Sequence, residues 1–557
     1  MNIRIYLEKQ AAANMDLALK RKDIAAKYIR DFIVAAILSA LIALTIDYLC
    51  FLIIGETTAG TWYDKYWVGF FFCCLFIASS FFIFRSYLAD KPEYVYLIVV
   101  LTVTFLMAWS ISFFIVGWDT GIHFRNVLGW ADIDDQFELS RSELAYISTS
   151  ILNDDGTGFP FTLEGTYQME SWLNSNDQNI QEVRSAYSFW NIATHINYVP
   201  SAIVMYFCEL FNASFSASYF LSLSPCIIIY AFVTFFGMRK LQSGKMLYAV
   251  IALLPTSLFL TANYGYQYWN MAFFLYGFAC LASFLQKRQH VPLREVLFML
   301  LALFLASLPR LSYAPLILLS LLVPRSCFKT KKLSAWYRTS IIAITLLAAS
   351  YFAIPRFLHG FGSGDSRGGS SINPESQLEF ILSEPLDFLQ RVIAFLGPPF
   401  VVSDESTYAN DVISGFLTPS GSIRVLGFYG YLGYLSQPLF IFLLALLTAV
   451  TITDKNDKAR YGWLPGTACI TLSLAILVCI IAYMYMDFNN VGENAFRGVQ
   501  SRYLLPFMYP CLAFVGSHKW GLNGSLVPKR IYNGIVLGTM AFILLAGWWQ
   551  VYLYKIY

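Results

Sequence analysis

The chain has 557 residues, of which 57% are hydrophobic and only 13% charged, with a mean hydropathy of +0.56. A soluble domain carries about 25% charged residues, so this composition excludes a soluble enzyme, a disordered chain and a secreted disulfide scaffold, and leaves a polytopic membrane protein. The net charge of +3, from 38 Lys and Arg against 35 Asp and Glu, carries no bulk signal for nucleic acid, and no nucleic-acid partner is expected.

A transmembrane helix needs roughly 20 mostly apolar residues. Residues 1–30 are charged and precede a full-length span, which predicts a cytoplasmic segment and not a cleaved signal peptide. Residues 31–117 hold the N-terminal transmembrane helices, at 32–54, 67–84 and 94–116. Residues 118–215 form a first large extracytoplasmic loop with an acidic motif. Within it, 192–211 contains His195, Asn197, Tyr198 and Pro200, which predicts a re-entrant or interfacial helix and leaves a full span as the alternative. Residues 216–356 hold the central spans, at 217–238, 246–262, 269–285, 295–308, 311–323 and 340–354. The pair around Leu308-Pro309-Arg310 is short, and predicts a broken helix or a hairpin in the outer half. Residues 357–425 form a second large loop. It opens on a Gly- and Ser-rich tract, followed by Leu378, Ile381, Leu382, Leu386, Leu389 and Ile393 at helical spacing. That pattern predicts an amphipathic helix on the outer membrane face. Residues 426–557 hold the last spans, at 426–450, 463–485, 503–514 and 531–552. The expected fold is an all-α polytopic bundle of about 13 transmembrane helices with two large extracytoplasmic loops.

Lys and Arg set the orientation. Lys20, Arg21, Lys22, Lys27 and Arg30 precede the first span, and basic clusters at 239–245, 287–294, 329–338, 455–460 and 519–530 recur in alternate loops. The N-terminus and these loops are therefore expected in the cytoplasm. Neither large loop contains a cysteine, so no disulfide is expected there. No zinc-type cysteine cluster, Walker sequence, GxGxxG or GxSxG occurs.

Polar residues gather at the outer membrane boundary. Asp119 follows the third predicted span, where partial desolvation favours a carboxylate as a base. A helical backbone would put His123 on its face, four residues on. A metal held by Asp119 and His123 lacks an evident third ligand, so no metal or other cofactor is expected. Arg310 lies between two apolar runs, where a charge faces a partner or a cavity. Arg497 and Arg502 flank Gly498-Val-Gln-Ser501, and the arginine fork suits phosphate. Tyr264, Tyr266, Tyr268 and Trp269, with Tyr429, Tyr431 and Tyr434, form an aromatic belt or a wall for a sugar ring or lipid chain. An acid, two histidines (His123 and His195) and these arginines suit a lipid-phosphate ligand with its head group outside.

Several segments resemble, in order, those of a bacterial family of polytopic membrane proteins, domain of unknown function family 2142, which is grouped with the GT-C glycosyltransferases. They are Trp118-Asp-Thr-Gly-Ile-His-Phe124, Asn197-Tyr-Val-Pro200, Ala252-Leu-Leu-Pro-Thr-Ser-Leu-Phe259 with Tyr264-Gly-Tyr-Gln-Tyr268, Glu375 to Phe388, and Gln500-Ser-Arg-Tyr-Leu-Leu-Pro506. Thr120 and Gly121 depart from the family's acidic residue and proline, and more than one span precedes the motif, where the family normally has one. The resemblance implies an inverting membrane glycosyltransferase in the cytoplasmic membrane, with its active site on the extracytoplasmic face. It would take a sugar from a polyprenyl-phosphate donor and pass it to a cell-surface glycan or glycolipid acceptor. Asp119 would be the base. Arg310 and Arg502 would stabilise the departing phosphate, and His123, His195 and Tyr198 would orient acceptor or phosphate. The alternative function is a non-enzymatic flippase or transporter of a lipid-linked saccharide.

Overall fold

The computed structural model describes residues 26–27, 29–42, 44–45, 71–79, 91–111, 117, 119–132, 138–147, 159, 163–175, 179–183, 192–287, 291–359, 371–395, 425–454, 461–494, 496, 498–515 and 527–553. The chain divides into a unit of residues 1–102 and a larger unit of residues 103–557. In the first, residues 29–42 and 71–79 are helical. Ile29, Phe32, Ile33, Ile37 and Leu41 are exposed there, as suits a helix that faces lipid. Helix α1 (Pro92–Ile111) starts in this unit and ends in the second.

The larger unit is described by itself. Among the described residues, six helices of the chain are long and apolar enough to cross a membrane: α1, α7 (Phe215–Lys240), α10 (Gln267–Lys287), α12 (Lys331–His359, over Lys331–Tyr351), α16 (Trp463–Phe488) and α18 (Lys529–Trp548, extended to Tyr552). Several other predicted spans differ from expectation for local reasons, and parts of 32–54 and 67–84 lie outside the described residues.

Residues 192–211 fold as a short helix, α5 (Ile192–His195), a turn, and α6 (Val199–Leu210). The 12 residues of α6 reach about 18 Å at the α-helical rise, short of the ~30 Å hydrocarbon core. The predicted span 246–262 breaks into α8 (Lys245–Ala252) and α9 (Pro255–Thr261). Pro255 causes this: it has no N–H, and its ring holds Leu254 extended at φ −52° and ψ 135°.

The short pair is a hairpin with two arms of similar length. Its arms are α11 (Leu293–Ser307) and a 3-10 helix, Leu311–Leu322. At 2.0 Å per residue a 12-residue 3-10 helix covers about 24 Å, which matches the ~22 Å of 15 α-helical residues. The tip is Leu308 to Arg310. At the open end Glu295 lies 3.8 Å from Lys240, where α7 stops, and Val291 N donates to the Cys327 carbonyl at 3.0 Å.

The predicted span 426–450 starts only at α15 (Gln437–Thr453). Before it, Gly427 to Leu435 fold into a buried hairpin. Tyr429 N donates to Gly433 O at 2.8 Å and Leu435 N to Gly427 O at 2.7 Å. Gly430 (φ 60°) and Gly433 (φ 106°) supply the left-handed backbone that closes it. Tyr429 is fully buried, with its ring against Phe259 and Trp548. It is core, not an interfacial wall. The predicted span 503–514 becomes a 3-10 turn, Ser501–Leu504, and then α17 (Leu505–Val515).

The core is built on α7, α10 and α11. Leu303 Cδ2 already fills the place a Gly277 side chain would take, at 2.5 Å, so these helices approach closely. At the Lys240 end, Asp454 Oδ2 accepts from Met246 N and Leu247 N at 2.6 and 2.9 Å, which satisfies the open N-terminus of α8. Gln286 joins Gln242, Ser243 and Tyr461 at the same end.

The first large loop has structure of its own. After α2 (Thr120–Ala131) come β1 (Glu138–Ser140), α3 (Arg141–Ile147), α4 (Leu163–Ser175) and β2 (Asn179–Val183), with β1 and β2 antiparallel. Ser140 and Glu143 form a capping box: Ser140 N donates to Glu143 Oε2 at 2.9 Å and Glu143 N to Ser140 Oγ at 3.2 Å. Glu143 is therefore a buried structural carboxylate, not a solvated one. Tyr146 Oη meets Tyr219 Oη at 2.8 Å and ties α3 to α7. In the second loop, α13 (Pro374–Ser383) and α14 (Pro385–Phe395) bury Phe388 and Val392 but leave Leu382, Leu386, Leu389 and Ile393 exposed.

Candidate functional site

Asp119 occupies the N-cap of α2 with φ 55° and ψ 21°, a left-handed conformation that side chains other than Gly, Asn and Asp rarely adopt. Its side chain makes no capping hydrogen bond to its own helix. One carboxylate oxygen, Oδ2, instead lies 3.3 Å from Nη2 of Arg502. The two side chains differ in access: Arg502 is 3% exposed and Asp119 29%. Gly117 leaves room for this turn. A side chain there would start 2.6 Å from Thr120 Oγ1 and 3.0 Å from Asn263 Oδ1.

One turn along α2, His123 is buried. Its Nδ1 is 2.6 Å from the Tyr198 hydroxyl, and its ring stands edge-on to Tyr266 with centroids 5.8 Å apart. Burial above all, then the Arg502 charge, lowers its pKa to about 4, against the opposing pull of Asp119. The imidazole is neutral near pH 7. His195 is half-buried, and burial lowers its pKa too. Its Nδ1 accepts from Trp130 Nε1 at 3.1 Å. An indole N–H only donates, so a neutral His195 carries its proton on Nε2. The His195 ring is edge-on to Tyr198 at 5.6 Å.

Arg310, at the tip of the hairpin, donates from Nη1 to Tyr266 Oη at 2.6 Å. Its guanidinium carbon lies 3.8 Å from the centre of the Tyr503 ring, and that of Arg502 lies 5.9 Å from the same ring. Tyr313 Oη donates to the Tyr503 carbonyl at 3.1 Å and holds that residue in place. The 263–268 loop is fixed on the other side. Asn197 Nδ2 donates to Gly265 O at 3.3 Å, and the Tyr268 hydroxyl donates to Asn197 O.

The contacts close a ring. It runs from Asp119 through Arg502, Tyr503, Arg310 and Tyr266 to His123, whose backbone N donates to Asp119 O at 2.9 Å, and Tyr198 and His195 extend it from His123. Five separate segments supply it, and the first and last of them are joined by the Asp119–Arg502 ion pair. Buried polar atoms with no hydrogen-bond partner among the described residues lie around it: Thr120 Oγ1, His123 Nε2, Asn263 Oδ1 and Gln267 Nε2. Such atoms are uncommon in a folded interior, and a hydroxylated ligand, which both donates and accepts, would satisfy them. Among the described residues no group of three His, Cys, Asp or Glu side chains is arranged to hold a metal ion.

Seven of the nine predicted site residues therefore meet: Asp119, His123, His195, Tyr198, Tyr266, Arg310 and Arg502. Tyr264 does not join the ring. It is 2% exposed and packs on Phe124 and Tyr219, and its hydroxyl is bonded to Ser222 Oγ and the Tyr219 carbonyl at 2.6 and 2.7 Å. It is a packing residue. Arg497 lies outside the described residues. Tyr503, Tyr313, Trp130 and Asn197 escaped the residue-by-residue reading. Tyr503 stands in the quoted Gln500-Ser-Arg-Tyr segment, yet nothing in its spacing marks the ring as a platform for an arginine nearly 200 positions away.

A family model described as "Predicted membrane protein (DUF2142)" matches residues 164–510. No curated protein and no solved structure matches the chain. The matched region contains His195, Tyr198, Tyr266, Arg310 and Arg502, and it begins after Asp119 and His123. It covers more than half of the chain, with the apolar helices that a membrane location requires, and so the chain belongs to the DUF2142 family of predicted membrane proteins.

Proposed function

We propose that the protein is a GT-C-like glycosyltransferase that moves a sugar from a polyprenyl-phosphate donor to a cell-surface glycan or glycolipid. The observation that carries this reading is the half-buried Asp119 carboxylate in one ring with two guanidinium groups, Arg310 and Arg502. That set fits a displacement which makes a proton on one side and a phosphate on the other. Asp119 takes the proton of an acceptor hydroxyl while that oxygen attacks the anomeric carbon. The bond from that carbon to the phosphate oxygen breaks, and the phosphate leaves with the bonding electrons. Arg310 and Arg502 stabilise its charge in a water-poor setting. His123 is neutral, so it adds no charge. Its buried Nε2 offers one hydrogen-bonding position to sugar or phosphate.

The same reading places the protein in the cytoplasmic membrane, with its N-terminus in the cytoplasm and the ring on the extracytoplasmic side. The basic loops support that orientation. Leu382, Leu386, Leu389 and Ile393 would then rest α13 and α14 on the outer lipid surface. No metal enters the mechanism.

Surface-glycan analysis tests the function. A deletion strain is complemented with wild-type protein or Asp119→Asn at matched membrane abundance. Loss of one defined sugar in the variant, with its polyprenyl-phosphate donor accumulating, is expected. An unchanged glycan in the variant, beside a defect in the empty strain, would remove Asp119 as the base and favour transport or assembly.

A further inference from the structure

The ion pair raises a chemical problem for its own site. A carboxylate oxygen held by a guanidinium N–H is not free to turn towards a hydroxyl, which leaves only the second oxygen to take a proton. Asp119 is in that position, with Oδ2 3.3 Å from Arg502 Nη2. Its backbone is left-handed, and its side chain pairs with Arg502 instead of capping its own helix.

We infer that Arg502 is an anion site which Asp119 occupies while the protein is empty, and that the phosphate of the donor takes Arg502 from it, so that donor binding precedes and releases the base. The inference rests on the transferase reading for the phosphate's owner. Its physical content is a competition between two anions for one guanidinium. Three observations favour exchange at this position. Arg502 is 3% exposed and Asp119 29%, so the carboxylate is the partner with room to turn towards water. Arg502 stands beside Tyr503, whose carbonyl accepts from Tyr313, so the arginine belongs to a braced segment. Arg310 brings a second guanidinium to the same tyrosine ring, stacked at 3.8 Å. Two guanidinium groups thus share one tyrosine ring beside the carboxylate's partner, and an incoming phosphate is drawn by both. An acceptor that arrives first meets a carboxylate with one oxygen still engaged.

Equilibrium binding to full-length protein in nanodiscs of neutral lipid tests the exchange. The probes are farnesyl phosphate, as a short prenyl phosphate, and inorganic phosphate. Asp119→Asn removes the competing charge at nearly constant shape, and is expected to tighten farnesyl phosphate by about three- to tenfold. Arg502→Gln is expected to weaken it at least tenfold, and Asp119→Asn should bring no gain in that background. Tightening cannot come from a protein that has failed to fold, so the Asp119→Asn result stands even if Arg502→Gln is poorly made. Unchanged or weaker binding by Asp119→Asn overturns the exchange and leaves the transferase reading intact. Equal tightening for inorganic phosphate, with no preference for the prenyl form, supports the exchange but removes the lipid donor. Failure of every protein to bind either anion overturns both.

Discussion

His123 titrates far from the ordinary range of an imidazole. Its ordinary pKa of 6.5 falls to about 4 in the folded protein, through burial first and the Arg502 charge second. Between those two values the unfolded chain binds a proton that the folded chain does not. Stability due to this group is therefore fully present above pH 6.5, falls as the pH drops below it, and levels off near pH 4. From pH 7 to pH 5 the loss amounts to about 2 kcal/mol, on the scale of 1.36 kcal/mol per pKa unit. The perturbation that isolates it is His123→Gln, whose amide can still meet the Tyr198 hydroxyl but does not titrate. Unfolding in mixed micelles by SDS titration, followed by tryptophan fluorescence at pH 7, 6 and 5, measures both proteins. Carboxylates elsewhere contribute equally to the two curves, so the difference reports His123. Wild type should lose about 2 kcal/mol more than His123→Gln between pH 7 and pH 5. Parallel curves would refute the claim that the imidazole is buried and neutral.

Three further outcomes follow from named contacts. Tyr198→Phe strips the 2.6 Å partner from His123 Nδ1 and should cost about 1–3 kcal/mol in the same SDS titration; a loss below ~0.5 kcal/mol would mean that the bond is not formed. Arg310→Lys keeps the charge but loses the planar stack on Tyr503 together with the bond to Tyr266, so transfer should fall roughly tenfold or more at unchanged membrane abundance, and a wild-type rate would contradict the role given to that stack. Gly547→Ala puts a methyl against Leu435 Cδ1 and 2.9 Å from Tyr429 Oη, which should cost about 1–3 kcal/mol by overpacking; an unchanged unfolding midpoint would show that the 427–435 hairpin can shift freely.

Much of this architecture is written locally. Unbroken apolar runs such as those of α7, α10 and α16 declare themselves by length alone. The family was legible in the order of short segments, and the match over residues 164–510 bears that out. What was not legible depends on neighbours in space. Hydropathy runs straight through Pro255 and through Gly427 to Leu435, so it could not see that one span breaks and another begins late. It could not distinguish a 3-10 from an α-helix at Leu311–Leu322, although that difference lets 12 residues match the arm beside them. Tyr264 and Tyr266 stand two positions apart in one loop and look alike. Only packing sends the first into the Phe124 and Tyr219 cluster and the second to His123 and Arg310. The polar residues were identifiable as types that bind phosphate or move protons. Their pairing was not, because Asp119 and Arg502 are 383 positions apart.

The central claim is that Asp119 serves as the base of a sugar transfer from a lipid-phosphate donor. The most direct measurement adds purified protein in nanodiscs to the lipid extract and acceptor glycan of a deletion strain, and follows the accumulated donor by mass spectrometry. Wild-type protein should convert the donor to free polyprenyl phosphate and a glycosylated acceptor, while Asp119→Asn binds the donor and leaves it intact. Turnover by Asp119→Asn at the wild-type rate, or no turnover by either protein, would contradict the account.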